Sequence, residues 1–304
     1  MTSTLRAGVI GAGVFGGYHA QKYADLPDVT LSAVLDPHPD RAQTLAERFG
    51  GQPFADLAPF LAAVDIVSIA APAIHHGRLA LATLNAGKPA YVEKPIATTP
   101  EDADAIVAEA NRRGLIVACG FLERAAFAAM GLWDIPRAPL RMDCARLGPP
   151  SPRNLDVSVV MDLMIHDLDL ALHLTPSDPV TVEAEGACLA NPLLDEASCE
   201  VDFEDGFQAS FRASRVAERR QRTLTLTWPE GEVRLDLLAH TFENTTPWTL
   251  DAGFDETPAG KDRLGASLAA FIAAVRGEGR PLADARDGAR ALDLALAVEQ
   301  AVGG

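Results

Sequence analysis

The chain has 304 residues, 48% of them hydrophobic, and a formal net charge of −16. That length is long for one core and typical of two domains, and the acidic balance argues against nucleic acid, whose phosphates demand a basic face. No apolar run approaches the roughly 20 residues of a membrane span, and Met1 to Arg6 leads straight into a strand-like run without a charged-then-apolar leader, so a cytoplasmic protein with no membrane partner is expected.

The first predicted strand, Ala7 to Ile10, runs into Gly11-Ala12-Gly13-Val14-Phe15-Gly16, and helical spacing follows from Val14 to Tyr23. A second strand, Thr30 to Leu35, ends at Asp36, twenty residues beyond Gly16. This is the context in which GxGxxG reads as a dinucleotide fingerprint: Gly11 for the tight turn, Gly13 for approach of the pyrophosphate, Gly16 for close packing of helix on strand. The helix N-terminus then offers unpaired N–H groups to phosphate. Asp36 would accept hydrogen bonds from ribose hydroxyls and repel a 2′-phosphate, which favours NAD over NADP.

Strand-like runs at Ile66 to Ala70, Ala90 to Val92 and Leu115 to Cys119 alternate with helical segments around Arg41 to Phe49, Arg78 to Asn85 and Pro100 to Arg113. Repeated βα predicts a doubly wound parallel sheet, hence a Rossmann domain over residues 1–121. The alternation stops near Gly120. Beyond a proline-rich connection, Gly148 to Pro152, comes a helical stretch from Val159 to Leu174, then alternating runs at Val180 to Ala184, Phe207 to Phe211 and Arg222 to Trp228, and two alanine-rich amphipathic helices, Leu264 to Arg276 and Ala285 to Ala301. Residues 122–304 therefore read as an α+β domain with an open, mainly antiparallel sheet. The four cysteines, Cys119, Cys144, Cys188 and Cys199, have neither CxxC spacing nor neighbouring histidines; small core residues are expected rather than a metal site or a disulfide framework.

On the helical stretch, at about 100° per residue, Asp162, His166, Asp169 and His173 fall within an arc of roughly 60° while Asp167 points away. A polar row on an apolar helix needs partners or a ligand, so a pocket wall is expected there. Lys94, in Glu93-Lys94-Pro95 after the run Ala90 to Val92, supplies a cation. Together these groups suit oxidation of a secondary alcohol: His166 as base, Asp162 orienting its ring, Lys94 stabilising the developing alkoxide. A lysine of lowered pKa could take the base role instead.

The order of glycine loop, Glu-Lys-Pro and Asp-x-x-x-His helix, together with His19, Pro72, His76 and Ala86-Gly87-Lys88, resembles the Gfo/Idh/MocA family of sugar and polyol dehydrogenases over essentially the whole chain. The resemblance implies NAD as cofactor, with Gly11, Gly13, Val14, Phe15, Gly16, Asp36, Ala71, Pro72, His76, Glu93 and Lys94 around it. Ala71 stands where many relatives carry a hydroxyl residue. It also implies pairing of the open sheet face into a homodimer or homotetramer. Val159 to Asp169 and Gly120 to Arg124 look like the short UDP-N-acetylglucosamine 3-dehydrogenases, whose ketone product passes to a partner aminotransferase on the way to 2,3-diamino sugars of lipid A or surface polysaccharide. Ala125-Ala126-Phe127 departs from that group's usual continuation. On this reading Lys94, Glu123, Arg124, Arg146, Arg153, Asp162 and His166 contact substrate, the arginines serving a diphosphate. A dehydrogenase of a free sugar or inositol, and a non-catalytic dinucleotide- and sugar-binding regulator, are the alternatives; the joint presence of Lys94, Asp162 and His166 speaks against the regulator.

Overall fold

The computed structural model describes residues 4–151 and 156–303. They form two compact units: the chain up to Phe121 with Leu264–Ala289, and Leu122–Arg263 with the chain from Arg290 onward. Leu264–Ala289, which a division after residue 121 assigns to the second domain, packs in the first unit.

The first unit is built on six parallel strands, β1 (Leu5–Ile10), β2 (Val29–Leu35), β3 (Gln52–Phe54), β4 (Ile66–Ile69), β5 (Ala90–Val92) and β6 (Val117–Cys119), in the order β3-β2-β1-β4-β5-β6. Their connections are helical: α1 (Val14–Asp25), α2 (Pro39–Phe49), α3 (Leu57–Ala62), α4 (His76–Asn85) and α5 (Pro100–Arg113). β4 and β5 are buried at every position, which is why they read as short continuous apolar runs rather than alternating ones. The order reverses between β1 and β4, and in doubly wound sheets the crevice beyond the strand ends at such a reversal takes the ligand. Leu264–Ala289 completes this unit. Phe271 packs edge-on against Tyr91 with ring centroids 5.9 Å apart, the Tyr91 hydroxyl lies 2.9 Å from that of Ser267, and the Cys119 N–H donates to the Ala283 carbonyl beside an antiparallel bridge between Ala118 and Asp284.

The second unit carries α6 (Glu123–Met130), β7 (Arg141–Leu147), a π turn at Val160–Met164, α7 (Ile165–Leu174), β8 (Pro179–Ala187), β9 (Glu196–Phe203), β10 (Gln208–Ser214), β11 (Gln221–Trp228), β12 (Gly231–Asp236), β13 (Thr241–Asn244) and α8 (Pro258–Lys261). Helix α9 (Arg263–Val275) lies almost wholly in the first unit, and α10 (Ala285–Gly303) contributes to both. The seven strands run β13-β12-β11-β7-β10-β9-β8, antiparallel throughout except for the central pair β7 and β10. Burial alternates along β7 and β9, so each strand gives one row to the interior. The interior row of β7 is Met142, Cys144 and Arg146. A buried arginine among apolar neighbours needs an anion, and the helices of this unit supply it.

Candidate functional site

In the first unit the glycine turn follows β1. Gly11 has φ +97°, in the left-handed region that favours glycine, and a methyl group there would press on the Ala70 carbonyl at 2.6 Å. A methyl on Gly16 would fall 1.7 Å from the Gly11 carbonyl oxygen, so α1 approaches its own turn too closely for any side chain. Gly13 differs from both: a methyl there meets nothing within 4 Å. The turn has space at Gly13 where a phosphate would approach, and close backbone packing at the other two glycines. Val14 and Phe15 stand exposed on the first turn of α1. Asp36 is buried and accepts hydrogen bonds from the N–H groups of Ala12 and His38, each at 2.8 Å. A carboxylate has about four acceptor positions, which leaves capacity for ribose hydroxyls. These residues fit a dinucleotide.

Beyond β5, Glu93 turns inward. It receives the Nε2–H of His19 at 2.8 Å; Nδ1 of the same ring lies 3.0 Å from the Ser68 hydroxyl, which is 2.7 Å from the Tyr23 hydroxyl. All four side chains are buried. Burial alone would raise the Glu93 carboxyl, but the His19 hydrogen bond and the charges of His19, Lys94 and His76 hold it below the ordinary carboxylate range. Lys94 follows at half-buried depth, with a cis peptide to Pro95. His76 is buried, its Nδ1 2.6 Å from the Pro95 carbonyl and its Nε2 2.8 Å from that of Ala71. Burial pulls its pKa down against those two contacts. Both Glu93 and His76, expected around the cofactor, thus brace the segments carrying Lys94 and Pro72.

In the second unit the π turn places Asp162 and delivers His166 to the first turn of α7. Nδ1 of His166 lies 3.3 Å from Oε2 of Glu123, the first residue of α6. Glu123 is buried, and its Oε1 accepts from Arg146 Nη1 at 2.9 Å. Burial would raise this carboxyl too, yet the charges of His166 and Arg146 take it well below the carboxylate range. Arg146 meets Asp167 through Nε at 3.0 Å and Nη2 at 2.7 Å. Arg124 holds Asp169 in the same forked way, at 2.8 and 2.6 Å.

These pairs bear on four expectations. Arg124 and Arg146, read as cations for a diphosphate, are both buried and bonded to α7. Asp169 and His173 do not continue a pocket wall from His166: Asp169 is tied to Arg124, and His173 is exposed with its ring 4.4 Å from that of Trp133. Asp167, which a uniform wheel turns away from the row, is buried against the sheet. The carboxylate at Nδ1 of His166 is Glu123, where the sequence suggested Asp162 as the orienting group. Arg153 lies outside the described residues. Two groups escaped the sequence reading: Ser68, which joins His19 to Tyr23, and Arg222 of β11, whose Nη1 is 3.6 Å from Glu123 Oε1.

The model of the Gfo/Idh/MocA oxidoreductases, described as an oxidoreductase family with an NAD-binding Rossmann fold, matches residues 5–121, and that of the family's C-terminal domain matches residues 141–234. The chain belongs to the Gfo/Idh/MocA family. Its cofactor is NAD and it is an oxidoreductase, as the glycine turn and Asp36 led one to expect. Among family members, UDP-N-acetylglucosamine 3-dehydrogenase of Acidithiobacillus ferrooxidans is 34% identical over 98% of this chain and 97% of its own; its solved structure superposes with a TM-score of 0.91, covering 99% and 98%. An inositol 2-dehydrogenase of Acidothermus cellulolyticus is 32% identical over 78% of this chain and 79% of its own. The WlbA dehydrogenase of Bordetella pertussis, solved with NADH and UDP-GlcNAcA, shares the fold at 19% identity, with a TM-score of 0.90 over 100% of this chain and 96% of that one.

Proposed function

We propose that this chain oxidises the 3-hydroxyl of UDP-N-acetylglucosamine to a ketone with NAD. The observation that carries this reading is 34% identity along nearly the full length of both chains to an enzyme named for that reaction. Oxidation removes a hydride from the carbon and a proton from its hydroxyl; bound NAD supplies the hydride acceptor. His166 takes the proton. Its Nδ1 faces an ionised carboxylate, so the N–H of the neutral ring belongs on Nδ1 and the lone pair on Nε2, the atom that meets the hydroxyl. The same carboxylate stabilises the imidazolium that forms. Lys94 stabilises alkoxide charge as the proton leaves, and Asp162 contacts the sugar hydroxyls. Arg124 and Arg146 hold α6, α7 and β7 in register around His166.

The ketone suits transfer to a partner aminotransferase for a 2,3-diamino sugar of lipid A or surface polysaccharide. On this reading the enzyme works in the cytoplasm, as a homodimer or homotetramer joined through the outer face of the seven-stranded sheet. No helix among the described residues is long and apolar enough to cross a membrane. A second reading, oxidation of a free sugar or inositol by the same Lys94 and His166, draws on the 32% identity to inositol 2-dehydrogenase.

Incubation with NAD and, separately, UDP-N-acetylglucosamine, glucose and inositol, with a carbonyl trap and product mass as readout, separates these readings. The expected result is a trapped ketone from UDP-N-acetylglucosamine, with the rate lowered about 10²- to 10⁴-fold in His166→Ala. Turnover of inositol or glucose alone would replace the first reading with the second.

A further inference from the structure

Arg146 and Arg222 face each other across the β7–β11 pair, directly opposite in register. Both reach toward Glu123, but on unequal terms. Arg146 donates through all three nitrogens, to Asp167 and to Glu123. Arg222 approaches the same Oε1 at only 3.6 Å, beyond hydrogen-bond reach, and its side chain makes no hydrogen bond and no other ion pair among the described residues. Yet only 36% of that side chain is exposed. A guanidinium has five donors, and none of those of Arg222 is sealed from solvent without a partner, so they stand open to an acceptor brought by a ligand. Burial and the charge of Arg146 outweigh the favourable charges of Glu123 and Asp167 around it, a balance that an added anion would shift toward the cation.

Position selects the anion. Glu123 offers Oε2 to His166 and Oε1 toward Arg222, so the base and the underused guanidinium stand one carboxylate apart. In a nucleotide sugar the anomeric carbon that bears the phosphate is joined to C3 through C2 alone. A hydroxyl presented to Nε2 of His166 therefore keeps its phosphate on the neighbouring part of the same ring, a few bonds away, where a long side chain on the far side of Glu123 is placed to meet it.

We propose that Arg222 binds the sugar-linked phosphate of the substrate, the role that Arg124 and Arg146 cannot fill while held by Asp169 and Asp167. The assignment rests on the nucleotide-sugar reading and gives it a specificity residue: a phosphate-free polyol has no group for this fork.

Calorimetric titration of UDP into the full-length protein saturated with NAD, in wild type, Arg222→Ala and Arg222→Lys, tests the site without turnover. Saturating NAD keeps UDP from the dinucleotide site, and melting temperature and NAD affinity check that each variant is folded. The expected result is a UDP Kd raised about 10- to 100-fold in Arg222→Ala, a smaller rise in Arg222→Lys, which keeps charge but loses the fork, and unchanged NAD affinity. Should Arg222→Ala not fold, Arg222→Lys carries the comparison. Equal UDP affinity in wild type and variants, or no UDP binding by wild type, overturns the assignment. The parallel UDP-N-acetylglucosamine turnover assay separates the two readings. Wild-type turnover with unmoved UDP affinity and KM in the variants removes the Arg222 site and leaves the proposed reaction standing. UDP binding through Arg222 without turnover keeps the site and points to another phosphorylated sugar.

Discussion

Glu123 stands at the centre of the second unit's chemistry because one buried carboxylate serves His166, Arg146 and Arg222. An anion 3.3 Å from an imidazole favours its protonated form, and the carboxylate also fixes which nitrogen carries the proton. Glu123→Gln keeps the shape and removes the charge. The His166 ring should then titrate at lower pH, so the acidic limb of kcat/KM for oxidation should move to lower pH, with kcat down roughly 10- to 100-fold. A pH–rate profile of the variant checks this, and an unmoved acidic limb would release Glu123 from the role. The sequence reading placed Glu123 among the substrate contacts that the resemblance implies but could not pair it with His166. Glu123 and His166 are distant in sequence, whereas Lys94 and His166 announce themselves through short local motifs. Arg222 is harder still, since it reaches Glu123 only because the register of β11 on β7 sets it opposite Arg146.

The elements show where periodicity serves and where it fails. Five of the six parallel strands and the glycine turn were legible because their signals are local: apolar runs of three to seven residues, and glycines whose spacing reflects backbone contact. The short β3 and α3 were not, since neither is long enough for a period to declare itself. On α7 a uniform wheel misjudged the polar row, because the π turn at Val160–Met164 changes the angle between Asp162 and His166 and because Asp167 and Asp169 each have a buried arginine that no wheel predicts. The glycine turn gives a sharp pair of expectations. Gly13→Ala introduces a methyl that meets no protein atom, so its melting temperature should match wild type within the roughly 0.5 kcal/mol typical of such changes while NAD affinity falls at least about tenfold. Gly16→Ala forces a contact at 1.7 Å with main chain and should fail in stability first. Thermal melting beside NAD titration distinguishes them, and equal loss of stability in both variants would contradict the open space at Gly13.

At the scale of the molecule, each unit keeps a buried carboxylate ionised, Glu93 in one and Glu123 in the other. Glu93 is held below its ordinary value of 4.5 in the folded state, so the stability it contributes is complete above about pH 4.5 and is lost as pH falls through the folded value. Glu93→Gln should therefore melt earlier than wild type at neutral pH, by the equivalent of about 1.5–3 kcal/mol for a charged hydrogen bond, and the gap should close below about pH 4.5. Melting curves from pH 3 to 8 are the check; a gap constant with pH would mean that the carboxylate's charge contributes nothing.

The completion of the first unit by Leu264–Ala289 bears on how the protein is made. Tyr91, Phe271 and Ser267 form one buried cluster, and the edge at β6 is met by Ala283 and Asp284. On a ribosome, those late residues emerge only after Leu122–Arg263 has been synthesised. At roughly 5–20 residues per second, the nascent nucleotide-binding sheet waits on the order of ten seconds with the Tyr91 ring and the outer edge of β6 uncovered, an invitation to pair with another chain. The dependence of this unit on its last-made segment makes the interval of translation the period in which a chaperone has something to protect.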